Sequence, residues 1–247
     1  MQGGDGMVSY KVYTNVGNRE INEDSVSAFQ EGHRYCFVLA DGLGGHGKGE
    51  CASEMAVKTT INLFADYYSD GFLEESFEKT QENILKAQRD NVELADMKTT
   101  MVTLLIDDGA ISWGHIGDSR LYRFSKNKLV SRTLDHSVPQ MLVNMGELKE
   151  KDIRGHEDRN RLLRVLGAPW KSNSYEISDK YIVKKTEAFL LCSDGFWELI
   201  DEKQMIQTLK KAKNVDEWLS QMVVLVNKKG KDVDMDNNSA IAVWVEV

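Results

Sequence analysis

The stretch TTMVTLLIDDGAISWGHIGDSRLYRF, residues 99–124, decides the fold class. It holds three runs rich in apolar and β-branched residues, at 99–106, 110–116 and 119–124. Only Asp107-Asp108-Gly109 and Gly117-Asp118 separate them. Such short connections leave no room for crossover helices, so the runs predict antiparallel strands in a meander. Upstream, residues 9–14 and 24–29 alternate in period two, as half-buried strands do. Residues 35–40 form a continuous apolar run that stops at Asp41-Gly42. Downstream, residues 181–183, 188–192 and 239–247 return to strand.

Helices are predicted in pairs between these groups of strands. One spans 50–64, with Ala52, Met55, Ala56 and Leu63 on a common face, and a second spans 73–95, with Leu73, Phe77, Ile84, Gln88 and Val92 in helical register. A third starts at Asp201, where Gln204 completes a capping pair. A fourth follows Asn214, with Glu217 three residues on, and ends at Gly230 after Lys228-Lys229. Pairing of this kind is not the strict alternation of a doubly wound parallel sheet. It predicts an α+β protein in which antiparallel sheets pack against helices. The polar, charge-rich stretch 135–167 is expected to be irregular, and long excursions of this kind are usually functional.

The chain has 247 residues and carries 31 Lys+Arg against 39 Asp+Glu, a net charge of −8. That balance argues against non-specific nucleic-acid binding, which depends on many basic contacts to phosphate. No apolar run approaches the roughly 18 residues a membrane span needs. Cys36 and Cys192 lie in apolar runs, Cys51 does not, and no CxxC spacing is present. They read as small buried hydrophobes in a reducing compartment. We therefore expect a soluble cytoplasmic protein with no nucleic-acid or membrane partner. A single domain over 1–247 is expected, with the Gly-rich residues 1–8 as a disordered leader.

The aspartates fall at strand ends. Asp41 ends one run, Asp194 follows another, Asp118 follows a third, Asp236 precedes the last, and Glu23-Asp24 begins an early one. If those ends meet at one edge, the carboxylates converge and repel strongly. Their pKa values then rise, or cations neutralise them. Hard divalent ions suit an all-oxygen cluster, Mg²⁺ or Mn²⁺ before zinc. Adjacent strand residues point to opposite faces, so one of Glu23 and Asp24 is expected to act through a bound water. Arg19, four residues before Glu23, has the planar shape that holds phosphate by two parallel hydrogen bonds.

The loop DGLGGHGKG, residues 41–49, matches two nucleotide motifs, GxGxxG at Gly42, Gly44 and Gly47 and GxxxxGK from Gly42 to Lys48. The second lacks its closing hydroxyl, since Gly49 stands there, and the first is followed by a second helix instead of a strand. In both, the Asp41 carboxylate would face phosphates uncompensated. A third reading makes Asp41 a metal ligand beside a tight glycine turn. Cysteine-phosphatase chemistry needs Arg six residues after Cys, and Gly42, Val57 and Glu198 stand there instead.

Six segments in order then resemble one family: REINED at 19–24, ADGLGGH at 40–46, GHIGDSR at 114–120, DHS at 135–137, LCSDG at 191–195 and DNNS at 236–239. The chain resembles the metal-dependent protein phosphatases of type 2C, in their short bacterial form, from about Val12 to the C-terminus. The resemblance implies a central sandwich of two antiparallel sheets flanked by helix pairs, in four layers αββα, with residues 138–166 as a flap beside the site. It implies hydrolysis of phosphoserine and phosphothreonine in proteins by a hydroxide bridging two divalent cations, Mn²⁺ or Mg²⁺, with a weaker third as in bacterial members. Asp41 would bridge the metals, the Gly42 carbonyl would bind the second, Asp194 and Asp236 the first, and Asp118 an additional one. Glu23 and Asp24 would bind or orient metal-bound waters, so that Asp24, Asp41 and Asp194 form the catalytic set, and Arg19 would hold the substrate phosphate. Phosphorylated proteins and a cognate serine/threonine kinase are the implied partners. Eukaryotic members carry a histidine general acid where Leu43 stands here, and His46 follows three residues later; His136 is expected to be structural.

Overall fold

The computed structural model describes residues 7–43, 48–170, 172 and 174–247. In chain order these form β1 (Met7–Asn15), β2 (Asp24–Glu31), β3 (Arg34–Asp41), α1 (Gly49–Tyr67), α2 (Phe72–Asp90), β4 (Met101–Asp107) and β5 (Ala110–Ile116). There follow β6 (Arg120–Ser125), β7 (Lys128–Arg132), α3 (Val138–Asn144), β8 (Glu176–Ile177), β9 (Tyr181–Ile182) and β10 (Glu187–Cys192). The chain ends through α4 (Asp194–Trp197), α5 (Glu202–Lys211), α6 (Val215–Gly230) and β11 (Asn238–Glu246).

The β4–β5 hairpin forms as its turn chemistry dictates. Asp107 pairs with Ala110 across Asp108 and Gly109, which both take positive φ, 48° and 78°. A two-residue turn of this type matches the twist of its strands. The third run does not continue that meander. At Gly117, with φ 97°, the chain leaves the first sheet, and β6 pairs with β10 and β7 instead of β5. The result is one sheet in the order β1-β11-β10-β6-β7 and another in the order β2-β3-β4-β5-β8, with β9 also on β5. All the pairings are antiparallel.

Phe37, Leu39, Val102, Leu104, Phe189, Leu191, Ile241 and Val243 fill the space between the two sheets. On the outer face of the β2–β5 sheet, Val38, Ala40 and Ile116 meet Ala52, Ala56, Phe77 and Ile84 of α1 and α2. On the outer face of the other, Leu190, Cys192, Ala240 and Ala242 meet Met205, Trp218, Met222 and Val226 of α5 and α6. This is the αββα sandwich. Burying apolar side chains on both faces of the central strands stabilises it by about 25 cal/mol per Å², which is why these strands read as continuous apolar runs.

Several local expectations need correction. β1 begins at Met7, which pairs with Glu246, so residues 7 and 8 are strand and not leader; residues 1–6 lie outside the described residues. α2 stops at Asp90, because Asn91 is extended and its side chain accepts from the Glu93 N–H to start a single 3-10 turn. Val92 is therefore 86% exposed instead of facing the core. The buried face of α1 runs through Ala52, Ala56, Thr60 and Phe64, while Met55 and Leu63 flank it. The strand β7 and the turn α4 carry no strong local pattern. By contrast, Asp201 and Gln204 cap α5 reciprocally, and the Asn214 side chain accepts from Glu217 N–H at 2.8 Å.

Candidate active site

Glycine brings the backbones of the site together. A Cβ on Gly195 would lie 2.1 Å from the Asn237 carbonyl oxygen, so only glycine lets the start of α4 close on the segment before β11. A Cβ on Gly42 would lie 2.3 Å from the Gly49 carbonyl and 2.8 Å from that of Glu23. Gly42 N–H donates to the Glu23 carbonyl at 3.0 Å, which ties the end of β3 to the start of β2. Asp24 and Asp41 are register partners there. The backbone of Asp41 is held by β4's leading residues: its N–H donates to Thr100 Oγ1, and its carbonyl accepts from Thr100 N–H and the Thr99 hydroxyl.

The strand ends thus meet over one cavity of about 690 Å³. Glu23, Asp41, Asp118, Asp194 and Asp236 all line it, as do Gly42 and Arg19. Of the residues singled out in the sequence, Asp24 alone does not line it; it is buried behind Asp41, at 7% exposure. Its Oδ2 accepts from the Ser193 hydroxyl at 2.8 Å, and its Oδ1 is buried without a partner. Asp118 sits where the chain crosses between the sheets, and its carbonyl accepts from Trp197 Nε1 at 3.0 Å. Residues 138–166 supply the opposite wall through Asn160, Leu162, Leu163 and Val165.

Burial and mutual repulsion dominate the electrostatics. Burial first, then Asp194, Asp24 and Asp118, pushes the Asp41 carboxyl well above the usual carboxylate range. Asp118 is raised likewise, by burial and then by Asp194. Asp194 is raised by burial and by Asp236, and Asp41 shares its proton with it through a side-chain hydrogen bond. Asp24 is pushed up to about 7, by burial before its acidic neighbours, against hydrogen bonds from Ser239 and Ser193. Glu23 is raised by burial and then by Glu50. Buried like charges of this number need either protons or cations. Five carboxylates and the Gly42 backbone on one cavity, with an orphaned buried oxygen behind them, make the donor set of a hard divalent cation.

Arg19 is half-exposed and its guanidinium forks onto Asp236, with Nε and Nη2 donating to Oδ1 and Oδ2 at 2.9 Å each. Asp234 approaches the third nitrogen at 3.5 Å. The acid pair holds Arg19 at the rim of the cavity and raises its pKa further.

Three contributors carried no assigned role in the sequence reading. Asn237 accepts from Glu23 N–H at 2.8 Å and donates to the Val16 and Ile21 carbonyls, so it fixes the Arg19-to-Glu23 loop. Ser193 joins the ends of β10 and β11 through Ser239 while donating to Asp24. Lys98 lines the cavity beside Leu43. Asn237 and Ser193 stood within recognised segments; Lys98 had no local signal.

The antiparallel partners of β3 remove the nucleotide readings of the glycine loop, which need a parallel βαβ unit. His46 lies outside the described residues. His115, His136 and Glu176 form a separate group of ligand-type side chains. Gly117 N–H donates to His136 Nδ1 at 3.2 Å, so the neutral ring carries its proton on Nε2, facing Glu176. No lone pair is left there for a cation. The His136 role is structural: its N–H donates to the Gly117 carbonyl, and its carbonyl accepts from Leu163 N–H. Cys36 and Cys192 are fully buried with thiol pKa values raised by burial, and all three cysteines are free.

The family model for protein phosphatase 2C matches residues 13–238. A serine/threonine phosphatase, stp, of Listeria welshimeri is 31% identical over 222 residues, covering 86% of each chain. The crystal structure of the Mycobacterium tuberculosis serine/threonine phosphatase PstP/Ppp superposes with a TM-score of 0.84 at 26% identity, over 97% of this chain and 99% of that one. The PstP catalytic domain in complex with two manganese ions superposes at 0.82, with 25% identity over 97% and 99% of the two chains. With its sandwich, its convergent carboxylates and these relatives, the chain belongs to the protein phosphatase 2C family of phosphatases.

Proposed function

We propose that this phosphatase hydrolyses phosphoserine and phosphothreonine in proteins with the help of two divalent cations, Mn²⁺ or Mg²⁺, and that a third can bind at Asp118. The observation that carries the reading is the meeting of Asp41, Asp194, Asp236, Glu23 and the Gly42 loop on one cavity rimmed by Arg19. The two manganese ions of the PstP structure support it by likeness. When bound, such cations supply a nucleophilic water of lowered pKa and neutralise charge on the phosphate oxygens.

The residues have separable tasks. Asp41, Asp194, Asp236 and the Gly42 carbonyl would hold the cations, with Asp41 shared between them. Asp24 Oδ1 would accept a hydrogen bond from a water in the site and orient it, and Glu23 would do so from the cavity wall. Arg19 would release Asp236 to the cation and turn its planar fork to the phosphate, where two parallel donors match two oxygens. No residue is needed as a covalent nucleophile: Cys36 and Cys192 are fully buried, and no cysteine lines the cavity among the described residues. Among the described residues, no helix is long and apolar enough to cross a membrane. A cytoplasmic location and a cognate kinase go with this reading.

The test is turnover of p-nitrophenyl phosphate and of a phosphothreonine peptide with Mn²⁺, before and after EDTA. Activity should vanish with chelation and return with Mn²⁺. Asp41→Asn should lose at least ~10³-fold, the scale of a key electrostatic group. Undiminished hydrolysis in EDTA, or near-normal turnover by Asp41→Asn, would overturn the reading.

A further inference from the structure

Lys98 is the cation of the cleft that the proposed reaction does not use. It stands on the cavity wall, half-buried. Its backbone is fixed on both sides. Leu43 N–H donates to the Lys98 carbonyl at 2.9 Å, and the next residue, Thr99, bridges Gly42 on one side and Leu166 on the other. Lys98 therefore sits at the seam between the end of β3 and the segment that forms the opposite wall.

Among the described residues, the lysine ion pairs involve Lys11, Lys48, Lys79, Lys86 and Lys180, and Lys98 makes none. This contrasts with Arg19, whose fork is filled by Asp236. An ammonium with no such pair is free to take an anion from a ligand. Five carboxylates share its cavity, yet none pairs with it. Leu43 lies beside it, and Leu162, Leu163 and Val165 line the opposite wall of the same cavity. A cavity of about 690 Å³ also has room for more of a substrate than one phosphate.

We propose that Lys98 is a specificity-determining residue that selects phosphorylated segments bearing a second anion, an Asp, Glu or further phosphorylated side chain, close to the phosphate to be removed. Arg19 and the cations take the scissile phosphate, and Lys98 takes its neighbour. An extended peptide advances about 3.3–3.6 Å per residue, and both anions must fit one cavity of about 690 Å³, so the second lies only a few residues from the first. This rests on the reading of the cavity as a phosphoprotein site.

The experiment uses three matched phosphothreonine peptides, flanked on both sides by Glu, Gln or Lys, with Mn²⁺, on the wild-type protein, Lys98→Gln and Lys98→Glu. The wild type should prefer Glu over Gln flanks by about fivefold in kcat/KM, the scale of one partly exposed ion pair, and added salt should shrink the preference. Lys98→Gln should bring the ratio to about one, and Lys98→Glu should invert it toward Lys flanks, which a merely structural role would not do. An unchanged ratio in Lys98→Gln overturns the inference. So does a change in Mn²⁺ dependence with the ratio intact, which would make Lys98 a counter-charge to the carboxylates. Failure of the wild type to hydrolyse any of the peptides overturns the phosphoprotein reading and this inference with it, whereas hydrolysis at a constant ratio overturns the inference alone.

Discussion

Replacing Asp24 by Asn should stabilise the metal-free protein, and by more at pH 8 than at pH 5. Asp24 is 7% exposed, and burial raises its carboxyl from 3.8 to about 7. In the folded state it holds a proton up to about pH 7, while in the unfolded chain it releases it near 3.8. Between those values the folded state binds more protons, so stability falls as pH rises. The contribution is fully present below the unfolded value and fully lost above the folded one. From pH 5 to about 7 lie two units at 1.36 kcal/mol each, or on the order of 2–3 kcal/mol. Asparagine does not titrate, and its carbonyl can still accept from Ser193. The stability gap between Asp24→Asn and the wild type should therefore widen by that amount between pH 5 and pH 8. At roughly 2–4 °C per kcal/mol for a chain of this size, the relative Tm should move by about 5–10 °C. The assay is thermal unfolding in EDTA at both pH values. Mn²⁺ should close the gap at pH 8 by stabilising the wild type, and the variant should have lost most of its turnover. A gap of equal size at the two pH values would refute the argument that ionising buried Asp24 opposes folding.

Other outcomes follow from the same geometry. Arg19→Ala should raise KM for a phosphopeptide by about 10–100-fold, the loss of a charge-assisted pair of hydrogen bonds, and steady-state kinetics that show a loss confined to kcat would count against its role at the phosphate. Gly195→Ala should destabilise the fold by about 3 kcal/mol or more, because a Cβ there has only 2.1 Å to the Asn237 carbonyl; urea unfolding with a wild-type midpoint would show that the α4 start does not approach β11 so closely.

Much of the architecture is local in origin. Asp108-Gly109 allows a hairpin because both residues tolerate positive φ. Asp201 with Gln204 and Asn214 with Glu217 start helices because their side chains satisfy N–H groups two or three residues away. β7 escaped the reading because Lys126-Asn127 makes the same kind of turn without a glycine to mark it. The meander pattern does not separate β6 from β5, because short spacing is silent on what a residue such as Gly117 does with a φ of 97°.

The order of strands and helices, and the presence of an Asp at so many strand ends, are properties of neighbouring residues, and the sequence alone determined them. Which carboxylates face the cavity was decided by tertiary pairing. Ser193 meets Ser239 across 46 residues, Asp24 meets Asp41 through strand register, and Arg19 meets Asp236 across 217. Burial at that junction, and not residue type, set the proton affinities of Asp24 and Asp41. Desolvation and charge repulsion act through space, so they exist only once distant segments have packed.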